Sequence, residues 1–233
     1  MREYSVGTLG ELENTLPTAE MTQLTLVGTR RAYGKGQTVY AQGDPAEAVY
    51  LLHTGEVKSV LTSIEGEACV LRLHLPCSLL GLTALATNPI RDATAVALGE
   101  VEVTQIHRDR FTKEMLRNPT LGGFVVRLLV DRMSDFHHRV GAFHTHTVEQ
   151  RLATTLLSLA RPDPQGTQVS TSRPIRLTHE DLAGLLGARR PTVTAVLNRF
   201  QTSGLVAKQG RAIVVIDADR LGALASGSKV SSA

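Results

Sequence analysis

Cysteine is scarce, with Cys69 and Cys77 the only two in 233 residues. Two thiols build neither a disulfide framework nor a four-thiolate iron–sulfur cluster within one chain, and free cysteines usually behave as small core residues. Long apolar runs are missing too. No stretch of about 18 apolar residues offers a membrane span. The opening MREYSVGTLGELENTL also lacks the basic start and apolar stretch of a secretory signal. The expectation is a cytoplasmic protein with no membrane partner. Clustered metal ligands are lacking as well. Between Gly28 and Arg108 the histidines are His53, His74 and His107, on separate segments without an HxH or HxxxxxE cluster. A β-sandwich metal enzyme is therefore not expected, and no catalytic or metal-binding residue is assigned.

What is present suffices for packed cores, since 42% of the residues are hydrophobic. The net charge of +3 conceals an asymmetry: from Thr171 onward nine Lys and Arg face four Asp and Glu, whereas sixteen face eighteen before it. A basic excess confined to one end is the electrostatic footprint expected of a phosphate-binding unit.

That end contains LTHEDLAGLLGARRPTVTAVLNRF, Leu177 to Phe200. Two short helices crossing at a tight turn need small residues where they touch and a permissive residue at the turn. Ala183 and Gly187 supply these, while Leu182, Leu186, Val193 and Val196 fall on the shared core. Thr178 with Asp181 resembles a capping box that starts the first helix. Pro191 suits the first turn of the second helix, with Arg190 at its entrance. Gly204 closes that helix, and LVAKQGRAIVVI reads as a hairpin around Gly210. The unit is expected to be a winged helix-turn-helix. Arg189, Arg190, Thr192, Thr194 and Asn198 cluster at the start and outward side of the second helix, which distinguishes it from a helical hairpin without a ligand.

Upstream, residues 1–27 read as an opening helical segment packed through Leu9, Leu12, Leu16, Met21, Leu24 and Leu26. Residues 28–108 carry short alternating runs broken by glycines at close to ten-residue spacing, the texture of an antiparallel sandwich or barrel. AVYLLH, EVKSVL, EACVLRLHL and EVEVTQIH are its clearest strands. In the third, Cys69, Leu71, Leu73 and Leu75 are expected on one face and Val70, Arg72 and His74 on the other. Residues 109–146 form a long helix and hinge, in which Val125, Leu129, Met133, Phe136, Val140 and Phe143 make a coiled-coil seam. This seam is the expected dimer interface, because a helix-turn-helix usually reads its operator as a two-fold dimer. His144 to Thr147 reads as the hinge, and Thr147 with Gln150 as the capping box of the next helix. Residues 147–225 hold the DNA-binding domain and 226–233 a disordered tail.

A glycine-punctuated β-domain, a long helix, a hinge and a winged helix-turn-helix, in that order, resemble the Crp/Fnr superfamily of transcriptional regulators. The resemblance covers nearly the whole chain and is strongest in TVEQRLATTLLSLA and the helix-turn-helix that follows. It extends to GDPAEAVYLLHTGEV and GLTALATNPIRDATAVALGEVEV in the β-domain. It implies an α+β fold: an N-terminal antiparallel β-roll or jelly roll, a long dimerisation helix and a C-terminal winged helix-turn-helix. It also implies a homodimeric DNA-binding regulator on a palindromic operator. The β-roll pocket then takes a small-molecule effector, is filled by its own side chains or serves only as scaffold, and a β-domain that binds a protein partner such as RNA polymerase is a further reading compatible with this one.

Carried over residue by residue, the resemblance points to a changed effector site. Members that bind cyclic AMP have a Gly-Glu pair for the ribose and an Arg followed by Ser or Thr for the cyclic phosphate. Here Gly81 is followed by Leu82 and Arg91 by Asp92, while Phe136 and His137 replace the hydroxyl residues that meet the adenine. Leu82 cannot accept the ribose hydrogen bond, and Asp92 places a carboxylate beside a phosphate. Cyclic AMP is therefore not expected as the ligand. Some relatives hold haem, for which His74 with Cys77, or His137, His138, His144 and His146, are candidate ligands, but no spacing among them is diagnostic. Members with an oxygen-labile cluster carry N-terminal cysteines, and residues 1–60 have none. On DNA, Arg190 matches an operator-reading arginine, whereas Pro191 and Ala195 replace two other readers. Thr178 and His179 are expected on backbone phosphate, as are Lys208 and Arg211 on the wing.

Overall fold

The computed structural model describes residues 16–160 and 174–227. The expected packing residues Leu9 and Leu12, residues 161–173 and residues 228–233 lie outside them. The chain forms two compact units, residues 13–133 and residues 134–233, and the boundary falls within one helix.

In the first unit, α1 (Thr18–Val27) is followed by β1 (Thr29–Tyr33), β2 (Thr38–Tyr40), β3 (Ala48–Thr54), β4 (Val57–Thr62), β5 (Ala68–His74), β6 (Leu79–Leu80), β7 (Thr94–Ala97) and β8 (Val101–His107). Then come α2 (Arg108–Arg117) and α3 (Pro119–Thr145). The strands form two four-stranded antiparallel sheets, ordered β1-β8-β3-β6 and β2-β7-β4-β5. Alternation along the strands separates two cores. One is built on Val39, Leu52, Val57, Leu80, Ala95 and Val103. The other joins β3, β6 and β8 to the helices through Leu24, Val49, Leu51, Leu79, Ile106, Phe111, Leu121, Phe124, Val125 and Leu128. Leu26, expected to pack, is instead 81% exposed.

The face assignment in β5 needs correction. Ser59 pairs with Arg72 but Val60 pairs with Val70, so the register shifts by one residue at Leu71. Such a bulge reverses the alternation on either side of it. Val70 and Leu73 are both buried as a result, while Cys69 and Leu71 are only half-buried.

The second unit contains α4 (Val148–Ala160), α5 (His179–Leu186), α6 (Arg190–Thr202), β9 (Val206–Gln209), β10 (Ala212–Val215) and α7 (Ala218–Ala225). Thr147 and Gln150 form the expected reciprocal cap of α4, at 2.8 and 3.2 Å. The break before α4 is narrower than the expected hinge, because α3 stays helical through Thr145. Leu152, Leu156 and Leu159 are buried with Leu182, Leu186, Val193, Val196, Leu197 and Phe200, so three helices share one core. Two features are not anticipated from the sequence. Ile175 exchanges two backbone hydrogen bonds with Ile213, adding a third short edge to the wing. Helix α7, capped by the Asp217 side chain, packs on α4.

Candidate nucleic-acid interface and β-domain cavity

The local chemistry of the helix-turn-helix follows its sequence closely. The Thr178 hydroxyl accepts from the Asp181 amide and the Asp181 carboxylate accepts from the Thr178 amide, both at 3.0 Å. Gly187 ends α5 at φ 57°, in the left-handed region that favours glycine. A Cβ there would also meet the Phe143 ring at 3.1 Å. Arg189 occupies the N-cap position of α6 without a side-chain capping hydrogen bond, and the helix starts at Arg190 with Pro191 in its first turn.

Five of the nine expected DNA residues line one groove of about 570 Å³. Thr178 and His179 come from the start of α5, Arg190 from the start of α6, and Lys208 and Arg211 from the wing. Glu180 adds a carboxylate to the same wall. Arg189, Thr192 and Asn198 are exposed on α6 but do not line the groove. Thr194 differs from expectation: it is half-buried and its hydroxyl is hydrogen-bonded to His179 Nδ1 at 2.9 Å. It fixes the imidazole, which leaves the ring's other nitrogen as the available polar atom. Burial first, then the nearby charges of Lys208 and Arg190, hold the His179 pKa below the ordinary 6.5.

The turn is also held from behind, by residues for which the sequence gives no signal. Arg151 donates to the carbonyls of Leu186 at 3.1 Å and His146 at 2.8 Å, and its guanidinium lies 5.4 Å from the Phe143 ring centroid. Arg139 donates to the Leu185 carbonyl at 3.5 Å. Two cations thus face the carbonyl end of α5, where the helix dipole favours positive charge.

The first unit contains a cavity of about 300 Å³. Gly81, Leu82 and Asp92, all expected at an effector site, line it together with Tyr40, Ser59, Leu71, Arg72, His74, Thr83, Ala93, Leu129 and Arg132. The other three expected residues do not. Arg91 is 3% exposed and donates to the carbonyls of Gly81 at 2.8 Å and Ala48 at 2.6 Å. Its guanidinium stacks 4.2 Å from the Tyr40 ring centroid. Gly81 makes that placement feasible, because a Cβ would come within 2.6 Å of the guanidinium. Phe136 and His137 lie one to two turns further along α3 than Leu129 and Arg132, and Phe136 is 62% exposed. Sequence periodicity misses Arg72 and Arg132: the bulge at Leu71 hides the first, and the second sits between exposed seam positions. In the cavity wall, Ser59 Oγ lies 2.8 Å from His74 Nε2. The Tyr40 hydroxyl is pushed up to about 12, by burial above all, with Arg91 pulling the other way. Among the described residues, no three of His, Cys, Asp and Glu gather where a metal ion could be held, and no helix is long and apolar enough to cross a membrane.

Helix α3 carries two apolar faces. Leu121, Phe124, Val125 and Leu128 are buried in the first unit's core. Val125 is therefore not on the outer seam, and Val126, 59% exposed, takes its place. The seam becomes Val126, Leu129, Met133, Phe136, Val140 and Phe143, a regular alternation of three- and four-residue steps whose members are all 40% or more exposed.

Two family models match the chain. Residues 30–118 match a cyclic nucleotide-binding domain and residues 150–224 a Crp-like helix-turn-helix domain. The transcriptional activator protein Anr of Pseudomonas protegens is 29% identical over 204 residues, covering 87% of this chain and 83% of that protein. A Mycobacterium tuberculosis protein described as a CRP-like cAMP-activated global transcriptional regulator is 27% identical, covering 81% and 84%. Among solved structures, FixK2 of Bradyrhizobium japonicum superposes with a TM-score of 0.73 at 24% identity, covering 85% of this chain and 97% of that one.

Proposed function

The chain belongs to the Crp/Fnr superfamily and is a DNA-binding transcriptional regulator, and on that premise we propose that it reads a two-fold symmetric operator as a homodimer joined along α3. The observation that carries this reading is the groove in which the start of α5, Arg190 of α6 and Lys208 and Arg211 of the wing meet. In a dimer the two recognition helices stand roughly 34 Å apart, one turn of DNA. Arg190 contacts a guanine edge in the major groove, and Lys208, Arg211, Thr178 and His179 contact phosphate. With Pro191 and Ala195 exposed where family members carry readers, the half-site differs from theirs. Bound at a promoter, the dimer stands beside RNA polymerase, the protein partner its β-domain is expected to meet. No cyclic AMP or haem requirement is part of this reading.

The test separates base reading from phosphate contact. Arg190→Ala is expected to lose about 1–3 kcal/mol of discrimination at one base pair of each half-site. Lys208→Ala is expected to weaken binding to all sequences alike and to reduce the salt slope by about one. Competition binding against operator and scrambled DNA at several salt concentrations reads both effects. Unchanged discrimination in Arg190→Ala removes this residue from the reading set.

DNA affinity is also expected to rise as pH falls through the range in which His179 takes up its proton. In the free protein the His179 pKa is depressed, by burial and then by Lys208 and Arg190. A phosphate at the start of α5 adds an opposite charge and raises it, so binding takes up protons. The gain develops between the two pKa values and levels off below the lower one. His179→Gln flattens the profile while Lys208 and Arg190 remain; an identical profile in that variant places His179 away from the phosphate.

A further inference from the structure

The division into two units falls inside α3, so the end of this helix from Ser134 onward belongs with the helix-turn-helix. Phe136, Val140 and Phe143 of the seam are thereby part of the DNA-binding unit. The link from α3 to α4 is short and tied on both sides: the His146 amide still donates to the Ala142 carbonyl, and the Thr147–Gln150 box caps α4. Arg151 spans the joint. Its Nε donates to the Leu186 carbonyl at the end of α5, a terminal nitrogen donates to the His146 carbonyl just beyond α3, and the guanidinium faces the Phe143 ring. The same ring fills the space that a side chain at Gly187 would need. One turn upstream of Phe143, Arg139 reaches the Leu185 carbonyl. Glu149, in the first turn of α4, pairs with Arg199 of α6 at 3.0 Å, but that pair is exposed and adds little stiffness. The planar fork of Arg151 differs, because two carbonyls from separate segments hold it in one orientation. Arg151 does not line the DNA groove, so its effect on DNA passes through α5.

We propose that Arg151, acting with Phe143, is a positioning residue that sets which distance between half-sites the protein accepts. The inference rests on the homodimer reading. Seam contacts fix α3 of one chain against α3 of its copy, while Arg151 and Phe143 fix the α5–α6 turn against α3. The separation of the two recognition helices is therefore set through this joint. With those helices roughly 34 Å apart, each lies about 17 Å from the two-fold axis, where a tilt of about 12° moves it by about 3.5 Å, one base-pair step. A loose joint thus accepts an operator one base pair too long or too short, while each recognition helix still reads its own half-site.

The test uses the full-length protein and duplexes carrying the inverted repeat that it protects in footprinting. The centre of the repeat is left as found, lengthened or shortened by one base pair, or kept with one half-site scrambled. The wild-type protein is expected to lose about tenfold or more in affinity when the centre changes by one base pair. In Arg151→Met that penalty shrinks to about threefold or less, and affinity for the natural repeat falls about tenfold, as the second half-site is engaged from a wider range of positions. Affinity for the duplex with one intact half-site stays within about twofold, and sedimentation still gives a dimer. Arg151→Lys keeps the charge and restores part of the preference. If Arg151→Met loses helical content, Phe143→Leu decides: it keeps an apolar seam residue, removes the ring that meets Gly187 and Arg151, and is expected to relax the spacing in the same way. A preference as sharp as wild type in the folded variant, or an equal loss on every duplex including the single half-site, overturns the inference and leaves Arg151 a structural role only. A wild-type protein indifferent to the centre overturns the inference alone. One that protects no inverted repeat, or binds one half-site as tightly as two, overturns the homodimer reading and the inference with it.

Discussion

Changing Phe136 to glutamate is expected to leave a folded monomer that binds operator DNA at least about 100-fold more weakly, a loss of about 2.7 kcal/mol. Phe136 is 62% exposed in the single chain and lies between Met133 and Val140 on the α3 seam. The substitution therefore removes little packing within one chain. In a two-fold dimer each seam residue meets its counterpart or a neighbour from the other copy, so two carboxylates become buried without cationic partners. Desolvating an unpaired charge costs several kcal/mol. With the dimer broken, each half-site is bound separately and the advantage of engaging both at once disappears. Sedimentation should give the monomer mass with unchanged helical content. A dimer of undiminished operator affinity would move the interface elsewhere.

Arg91→Met is expected to destabilise the β-domain by about 3–6 kcal/mol, because its two charge-assisted hydrogen bonds contribute about 1.5–3 kcal/mol each. The wild-type guanidinium holds the carbonyls of Gly81 and Ala48 and stacks on Tyr40. The variant leaves both carbonyls facing a thioether that donates nothing. A melting-temperature fall of about 10 °C should follow, at the usual 2–4 °C per kcal/mol for a protein of this size. If Arg91 instead served a ligand, the unliganded protein would melt unchanged.

These two residues mark where the sequence is legible and where it is not. The helix-turn-helix can be read almost residue by residue, because each feature rests on local rules: Thr178 and Asp181 cap, Gly187 turns, Pro191 starts a helix. The seam is readable in its period but not in its starting point. Val125 and Val126 are chemically identical neighbours, and only the sheet packed beneath α3 decides which one is buried. The faces of β5 are lost at Leu71, since a bulge leaves no composition signal. The cavity is the least legible. Motif position assigns Arg91 to it, whereas the backbone carbonyls of distant segments draw that side chain away and leave Arg72 and Arg132 in the wall. Helix α7 follows an Asp217 cap of ordinary kind, and only its packing on α4 distinguishes it from a frayed end.

In the proposed dimer, two chains joined along α3 present their copies of α6 to successive turns of DNA. Footprinting the purified protein across its own genomic DNA tests this most directly. Protected sites are expected to share an inverted repeat with half-sites about 10–11 base pairs apart and to vanish with Phe136→Glu. Protection of single, asymmetric elements that persists in that variant would contradict it.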